Sequence, residues 1–169
     1  AYIIAHNSLP VERFEQLRGR SFAFTDPMSN TGKLYAERKV LDLGTTIGNF
    51  FSKIIYTYGH DISIQMVNKK LVDAATIDGL IYDYFAVVKP QDVANIKIIG
   101  KSEYYGIPPV VCPGNFPQVE KERIKEVMYH MHEDSLGKAI LDKLHIDKFI
   151  AGRDKDYKSI RKMYNQVNQ

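Results

Sequence analysis

The chain has 169 residues, 44% of them hydrophobic, and is therefore long enough to form one domain with a buried core. Its net charge is only +3, with acidic and basic residues interspersed, which disfavours nucleic-acid binding because such proteins concentrate their basic residues in one patch. No apolar run approaches the roughly 20 residues of a membrane span, and the single cysteine, Cys112, excludes an internal disulfide and is expected to be a small buried residue.

Strand-like and helical segments alternate over residues 1–100. Apolar runs bounded by turn residues predict strands at 2–5, 21–25, 50–58, 73–77 and 96–100. Between them, apolar residues three and four apart, ended by Gly or Pro, predict helices at 10–19, 33–43, 62–71 and 80–88. This alternation is typical of βαβ units and predicts an α/β fold with a parallel sheet.

The run from Ser21 to Gly32 is the most informative for function. An apolar strand ends at the turn signal Asp26-Pro27, and three residues of the helix-capping type then precede a helical pattern. Hydroxyls, an amide and the free N–H groups of a helix start form a good anion site, and a glycine allows close approach to the backbone. The pattern predicts an oxyanion site, most simply phosphate-like, although an ordinary helix cap would need only one of the three polar residues. We call this set the oxyanion cradle; it consists of Ser29, Asn30, Thr31 and Gly32.

Polar residues also follow two other predicted strands. Gly59-His60-Asp61 ends the strand at 50–58, and Asp78-Gly79 ends the strand at 73–77. Because ligands of parallel α/β sheets bind beyond the carboxyl ends of the strands, we expect both loops and the oxyanion cradle to surround one ligand. Each residue also has an ordinary structural interpretation. His60 could form its hydrogen bonds with the local backbone, and Asp78 could be a turn or helix-cap residue.

The character of the sequence changes after Ser102. The predicted elements are a proline-stiffened connector at 104–109, a short strand at 110–112, amphipathic helices at 120–132 and after Asp134-Ser135, and a polar tail at 154–169 that ends in a helix. His130 and His132 are two residues apart on a predicted helix and do not share a face, so no metal site is predicted.

Together, these motifs resemble the phosphate/phosphite/phosphonate-binding proteins of ABC transporters, over nearly the whole chain. The matching motifs are Gly19–Pro27, Ser29–Gly32, Phe51-Ser52-Lys53, Gly59-His60-Asp61, Val72–Ala75, Asp78–Tyr84, Gly106–Pro109 and His132-Glu133-Asp134. The fold of that family, a type 2 periplasmic binding protein, has two α/β lobes joined by crossing strands, which close on the ligand by a hinge motion. The resemblance therefore implies a parallel-sheet, three-layer lobe with the C-terminal helices of an incomplete first lobe.

The resemblance also implies a division of the chain into four segments. They are a crossing strand at 1–10, the second α/β lobe at 11–103, a return hinge strand at 104–112, and a C-terminal helical segment at 113–169 that completes part of the first lobe. The N-terminal half of the first lobe has no counterpart here, and the abrupt start on an apolar strand suggests a fragment of a longer protein.

Each site residue acquires an expected role from the same resemblance. The oxyanion cradle would hold the ligand with hydroxyls and backbone N–H groups, and His60 would donate to another oxygen of the same group. Asp78 would either pair with an ammonium group on the ligand or accept a proton from a protonated oxyanion. No catalytic residue, metal or cofactor is implied.

The expected function is that of an extracytoplasmic solute-binding protein. It would capture phosphonate, phosphate or phosphite for uptake through an ABC-transporter permease, in the periplasm or at the outer face of a membrane. A ligand-sensing domain of a membrane signalling receptor with the same fold is the alternative. An enzyme using His60 with Asp78 or Asp61 as an acid–base pair is disfavoured, since no nucleophile, metal cluster or cofactor motif accompanies them. Exposed apolar surface on 113–150 would favour a homodimer.

Overall fold

The computed structural model describes residues 1–168 of the chain. Its contacts divide these residues into two units: unit 1 comprises residues 1–105 and 158–168, and unit 2 comprises residues 106–157. The predicted division into four segments of a two-lobed protein stays a prediction.

Unit 1 is built from strands and helices that alternate along the chain, as predicted. The strands are β1 (Tyr2–His6), β2 (Ser21–Phe24), β3 (Lys53–Tyr56), β4 (Ala74–Ile77) and β5 (Ile96–Lys101). The α-helices are α1 (Tyr35–Asp42), α2 (Ile47–Phe50), α3 (His60–Asn68), α4 (Gly79–Val88) and, from the C-terminal part of the chain, α7 (Lys158–Val167). Shorter helical turns lie at Phe14–Leu17 and Pro90–Asp92 (3₁₀) and at Asn30–Leu34 (π).

The five strands form one sheet in the order β3-β2-β4-β1-β5. β2 pairs in parallel with β3 and β4, whereas β1 pairs antiparallel with β4 and β5. Four strands therefore share one direction, and β1 runs against them, so the predicted parallel sheet is in detail a mixed one. Between β1 and β2 the chain forms only the 3₁₀ turn Phe14–Leu17, not the crossover helix that a parallel βαβ unit requires.

The three inner strands, β2, β4 and β1, are buried on both faces of the sheet, to which their alternate residues point. One face carries an aromatic cluster in which the rings of Phe22 and Phe51 stack with their centroids 4.2 Å apart. The buried members of this cluster include Phe14, Phe22, Phe24, Phe50 and Phe51, with Ala36 and Val40 of α1. The other face packs against α3 and α4, through Ile4, Ala23, Ile64, Val67, Ala75, Ile77 and Phe85. The predicted three-layer α/β architecture is confirmed.

The predicted strand at 50–58 is too long at both ends. Thr46 caps the one-turn helix α2, its Oγ1 accepting a hydrogen bond from the Asn49 N–H at 3.4 Å. The strand begins only at Lys53 and ends at Tyr56. Phe50 and Phe51, whose apolar side chains suggested a strand, are buried in the core. Phe50 is the last residue of α2, and Phe51 lies in the connection that follows.

Unit 2 contains helices α5 (Gln118–His130) and α6 (Ser135–Lys143) and the 3₁₀ turn Asp154–Tyr157. Asp134 caps α6 as predicted, since its Oδ2 accepts from the Gly137 N–H at 2.7 Å. The short strand predicted at 110–112 is wrong: these residues have no regular structure, because no described segment pairs with their backbone. Cys112 is accordingly exposed, not buried.

The predicted helix at the end of the polar tail is present as α7, which packs against α1 within unit 1. Nowhere in residues 1–168 does a helix combine the length and apolarity needed to cross a membrane.

Candidate functional site

The candidate site lies at the carboxyl ends of three adjacent parallel strands. β2 is central and is flanked by β3 and β4. The oxyanion cradle follows β2, His60 follows β3, and Asp78 is the first residue after β4. Since neighbouring strands lie about 4.8 Å apart, these chain segments emerge side by side at one edge of the sheet.

The oxyanion cradle is a helix start held in place by hydrogen bonds. Ser29 caps the π-helical turn Asn30–Leu34, its Oγ accepting from the Gly32 N–H at 3.0 Å. The Thr76 hydroxyl, in β4, donates to the carbonyl oxygen of Thr31 at 2.7 Å. Because Ser29 Oγ acts here as an acceptor, its own hydroxyl proton stays available for a ligand. The first N–H groups of a helix have no partner within it and carry the positive end of its dipole, so the cradle suits an anion.

Gly32 has a clear packing role in the cradle. A Cβ at this position would collide with the side chain of Thr25 and would lie 2.9 Å from Ser29 Oγ. The Thr25 N–H also donates to the Gly32 carbonyl at 3.0 Å, so the end of β2 and the helix start are in direct contact. Glycine is therefore required for close approach of Thr25; its approach to a ligand stays a prediction.

The loop before the cradle is braced by Asp26. Its Oδ1 accepts from the Met28 N–H at 2.7 Å, which closes a turn of the Asx type.

His60 is the first residue of α3, and its orientation is defined by a backbone donor. The Asp78 N–H donates to His60 Nδ1 at 2.9 Å, so Nδ1 is the acceptor nitrogen. In the neutral imidazole the proton then resides on Nε2, which is a hydrogen-bond donor. Burial lowers the pKa of His60, with the Asp78 and Asp61 carboxylates opposing that shift, and this favours the neutral ring.

Asp78 combines a structural contact with a contact to the cradle. Its Oδ1 accepts from the Leu80 N–H at 2.9 Å, which caps α4. Its Oδ2 accepts from the Thr31 hydroxyl at 3.3 Å. Both interpretations of Asp78, as helix cap and as site residue, therefore have a geometric basis.

Thr31, Asp78 and His60 thus form a connected chain of hydrogen bonds. Thr31 contacts the Asp78 carboxylate, and the Asp78 backbone contacts His60. The structure brings these three residues together as expected from the sequence, while their contact with a ligand stays a prediction. His60 receives its bond from a backbone N–H, so this contact is not the carboxylate–imidazole pair that an acid–base mechanism would use.

Asn30 differs from the rest of the cradle. Its Oδ1 is buried, and no donor within residues 1–168 reaches it. It lines a cavity on the α7 side of the cradle, and Thr31, His60 and Asp78 are not in that lining.

Two supporting residues were not recognised from the sequence. Thr76 holds the Thr31 carbonyl, and the only signal for it is a hydroxyl within the buried strand β4. Tyr2 packs against the start of α4, where a Cβ on Gly79 would lie 2.8 Å from the tyrosine ring, and its hydroxyl donates to Asp83 Oδ2 at 3.0 Å. No local pattern indicates the Tyr2 contact, because β1 and α4 are far apart in the chain.

No group of three or more His, Cys, Asp or Glu side chains suited to a metal ion is present in the described part of the chain. The residues predicted to bind an anion thus lie together at one edge of a three-layer α/β unit.

Comparison with known proteins identifies the family. Residues 1–157 match the family model described as the periplasmic substrate-binding protein of phosphonate ABC transporters. The match extends over more than half of the chain, and the chain belongs to this family. The resemblance inferred from its motifs is confirmed, and so is the expectation that it belongs to a class of binding proteins rather than enzymes.

Two curated relatives align with almost the whole chain. It is 21% identical over 165 residues to the probable ABC transporter phosphite binding protein PhnD1 of Prochlorococcus marinus (strain MIT 9301), covering 94% of this chain and 56% of that protein. It is 24% identical over 165 residues to the phosphonates-binding periplasmic protein of Escherichia coli (strain K12), covering 95% of this chain and 48% of that protein. The chain thus spans about half the length of these relatives.

Solved structures show the same fold. The structure of PhnD1 from Prochlorococcus marinus in complex with methylphosphonate superposes with a TM-score of 0.84 at 21% identity, covering 99% of this chain and 66% of that one. A binding-protein component of an ABC phosphonate transporter from Pseudomonas aeruginosa gives a TM-score of 0.80 at 20% identity, covering 99% and 57%. At this level of identity the likeness establishes the α/β fold.

Proposed function

We propose that this protein captures a small phosphorus oxyanion, phosphonate, phosphate or phosphite, and delivers it to an ABC transporter. The observation that carries the proposal is the meeting of the Thr31 hydroxyl, the Asp78 carboxylate and the His60 ring beside a capped helix start. Membership of the phosphonate-binding family supports the same ligand class.

The donors of the site suit three oxygens on one centre. The Ser29 hydroxyl and the N–H groups of the helix start approach from the cradle, and the His60 Nε2–H approaches from α3. A neutral imidazole would donate a hydrogen bond without adding a full charge. Reversible binding without a chemical step is supported by membership of a family of substrate-binding proteins. Hydrogen bonds to a charged oxygen are stronger than neutral ones, which favours an anion over a neutral polyol.

Asp78 restricts which oxyanions fit. Its Oδ2 accepts a hydrogen bond from the Thr31 hydroxyl and could also accept one from a proton on the ligand. Asp78 is therefore matched to a protonated oxyanion or to an ammonium group on the ligand. A fully ionised tetrahedral anion such as sulfate would instead place an oxygen against the carboxylate, where like charges repel.

The cellular setting follows from the family. The protein acts in the periplasm or at the outer face of a membrane, and its protein partner is the permease of the transporter. These assignments rest on the family description and on the relatives' names.

Self-association is also part of the proposal. Helix α5 has no buried residue, and α6 exposes Leu136 and Ile140, with 75% and 50% of their surfaces accessible. Apolar faces of this kind mark interaction surfaces, and two copies of the chain would cover each other's α5 and α6. Light scattering on the purified 169-residue chain should give about twice its mass of 19.4 kDa. A mass equal to one chain would refute the dimer.

A thermal-shift series tests the ligand class. The full-length protein is melted with phosphate, phosphite, methylphosphonate or 2-aminoethylphosphonate, and with sulfate as the matched tetrahedral control. We expect the melting temperature to rise with at least one phosphorus oxyanion and to rise less with sulfate, since a ligand that binds only the folded state stabilises it. No rise with any phosphorus oxyanion would contradict the proposal.

A further inference from the structure

Two buried hydroxyl groups contact each other near the start of α3. Thr57 directly follows β3, and Ser63 lies in the first turn of the helix. Both residues are buried, and their Oγ atoms are 2.7 Å apart. His60 lies between them in the chain, so this hydroxyl pair spans the segment that carries the imidazole.

The hydroxyl protons of the pair can be assigned from their neighbours. Thr57 Oγ1 lies 2.9 Å from the carbonyl oxygen of Gly59, which can only accept. A second carbonyl oxygen, that of Phe24, is more distant at 3.4 Å. In the described part of the chain, the Ser63 hydroxyl contacts the Thr57 hydroxyl and no other side chain. Both hydroxyls are therefore satisfied when Ser63 donates to Thr57 and Thr57 donates to Gly59.

The backbone around Thr57 is held by β2. The N–H of Thr57 donates to the Phe24 carbonyl at 2.9 Å, and the N–H of Tyr58 donates to the Thr25 carbonyl at 2.6 Å. The pairing of β3 with β2 thus continues past the strand ends. Tyr58 has a φ of 58°, in the left-handed region that residues other than Gly, Asn and Asp seldom adopt. The chain turns from β3 into α3 at this residue.

The carbonyl oxygen of Gly59 connects the hydroxyl pair to His60. Gly59 is the cap residue of α3 and has no side chain that could fix the first turn. Its carbonyl accepts from the Ser63 N–H at 3.1 Å as well as from the Thr57 hydroxyl. This carbonyl and the N–H of His60 belong to one planar peptide unit. A rotation of that unit would move the imidazole away from the Asp78 N–H, which now lies 2.9 Å from Nδ1.

We propose that Thr57 and Ser63 are positioning residues of the oxyanion site. Their hydroxyls fix the Gly59–His60 peptide plane and thereby direct the Nε2–H of His60 towards the ligand. Both are too buried to touch the ligand themselves. This inference rests on the proposed function and adds to it the contacts that orient the imidazole before a ligand arrives, so that binding does not have to order the ring.

Replacing both hydroxyls together tests the pair. Thr57→Val/Ser63→Ala exchanges both partners of one hydrogen bond for apolar groups, a change that can be nearly neutral for stability. We expect titration calorimetry on the full-length protein to show about tenfold weaker binding of phosphite or methylphosphonate, with little change in melting temperature. Thr57→Ser keeps the hydroxyl and should bind within about twofold of the unmodified protein.

A variant at the opposite edge of the sheet is the control. Ile96 is buried and begins β5, which runs parallel to β4 because both strands are antiparallel to β1. Ile96→Val removes one methylene from the core and should lower the melting temperature while leaving affinity unaltered. Loss of core packing is thereby distinguished from loss of positioning.

The orientation of the ring is measured without a ligand. Nitrogen NMR at about pH 8, where an imidazole is neutral, distinguishes its two tautomers, and His60→Asn identifies the signal. In the unmodified protein Nε2 should carry the proton while Nδ1 accepts from Asp78. In Thr57→Val/Ser63→Ala both tautomers should be populated, and the Asp78 amide should exchange with solvent about tenfold faster. Thr57→Ser should give the signals of the unmodified protein.

Each outcome supports or overturns the inference. Unaltered nitrogen signals in Thr57→Val/Ser63→Ala would overturn it, whatever the affinity. Altered signals with unaltered affinity would overturn it too, as would equal losses of affinity in Thr57→Ser and the double variant. If the double variant does not fold, Thr57→Val replaces it, with a smaller expected loss of about threefold because Ser63 can then donate to Gly59.

The proposed function is judged separately. Absence of binding by phosphate, phosphite and phosphonates in the unmodified protein would refute oxyanion capture and with it the role of the pair in ligand binding. Loss of the positioning result alone would leave oxyanion capture standing.

Discussion

The backbone N–H of Asp78 donates to Nδ1 of His60 at 2.9 Å, although the two residues are 18 positions apart. This bond determines which imidazole nitrogen can face a ligand, because it occupies Nδ1 and leaves the proton of the neutral ring on Nε2. The same residue uses its carboxylate to contact Thr31. Asp78 therefore links the loops that follow β2 and β3.

The hydroxyl of Thr31 is the first group to test. In the unliganded protein the Thr31 hydroxyl donates to Asp78 Oδ2, and in the proposed complex its proton turns to a ligand oxygen. Thr31→Val keeps the shape of the side chain and removes this donor. We expect the dissociation constant for phosphite or methylphosphonate to rise by about tenfold, because the gain of roughly 1.5–3 kcal/mol from a hydrogen bond to a charged ligand is partly offset by the lost bond to Asp78. Titration calorimetry measures the change. Thr45→Val, in the loop before α2, is the control and should leave affinity unaltered. If Thr31→Val binds as the unmodified protein does, Thr31 is not a ligand residue.

The proposed role of the Asp78 carboxylate in ligand selection can be tested separately from its role as a helix cap. Asn is as good a helix cap as Asp, so Asp78→Asn should keep the melting temperature while losing discrimination between phosphite and sulfate. Asp78→Ala removes the bond to the Leu80 N–H as well and should lower the free energy of unfolding by about 1 kcal/mol. Calorimetry with the two anions and urea denaturation provide the measurements. Retention of the phosphite preference by Asp78→Asn would show that the carboxylate does not select the ligand.

The lowered pKa of His60 predicts a pH dependence of stability. Below pH 6.5 the unfolded chain binds a proton at this residue, whereas the folded chain resists it until a lower pH, so the free energy of unfolding should fall as the pH decreases through that window. His60→Asn can still accept the Asp78 N–H through Oδ1 but does not titrate, and it should make the dependence shallower. Burial also lowers the pKa of His6, so part of the slope will remain. Urea denaturation at several pH values on both sides of 6.5 tests this, and an identical slope in the variant would contradict it.

The packing of Gly32 against Thr25 predicts an unusual response to alanine. Alanine normally stabilises a helix relative to glycine by about 1 kcal/mol. Gly32→Ala should instead destabilise the protein by about 1–3 kcal/mol, because its Cβ would overlap the Thr25 side chain. Gly48→Ala is the control, since nothing lies within 4 Å of the added carbon, and it should be neutral or stabilising.

A second substitution identifies the cause of that destabilisation. Thr25→Ala removes the hydroxyl that lies closest to the added Cβ and should recover part of the loss in the double variant. Thermal or urea denaturation of the unmodified protein, the two single variants and the double variant completes this double-mutant cycle. Strictly additive effects of the two substitutions would show that the collision is not the source.

Much of the fold could be predicted because its signals are local. Apolar runs bounded by turn residues located all five strands. The glycine after the helix predicted at 33–43 and the cap at Asp134 marked helix boundaries correctly. Predictions failed where a local pattern was ambiguous. Phe50 and Phe51 are as apolar as a strand core, but Thr46 caps a helix just before them. Val110 and Val111 resemble a strand, yet a strand forms only where another segment supplies hydrogen-bond partners.

The sequence by itself determined the class of the fold and the three polar segments that meet at one edge of the sheet, because burial periodicity and helix capping act over a few residues. Only the tertiary structure decided that β1 runs against its neighbours, that Thr31 contacts the Asp78 carboxylate from 47 positions away, and that Asn30 faces a cavity beside α7. These features depend on which distant segments pack together, and that choice is made by the summed burial and hydrogen bonding of the whole unit, not by any short stretch of the chain.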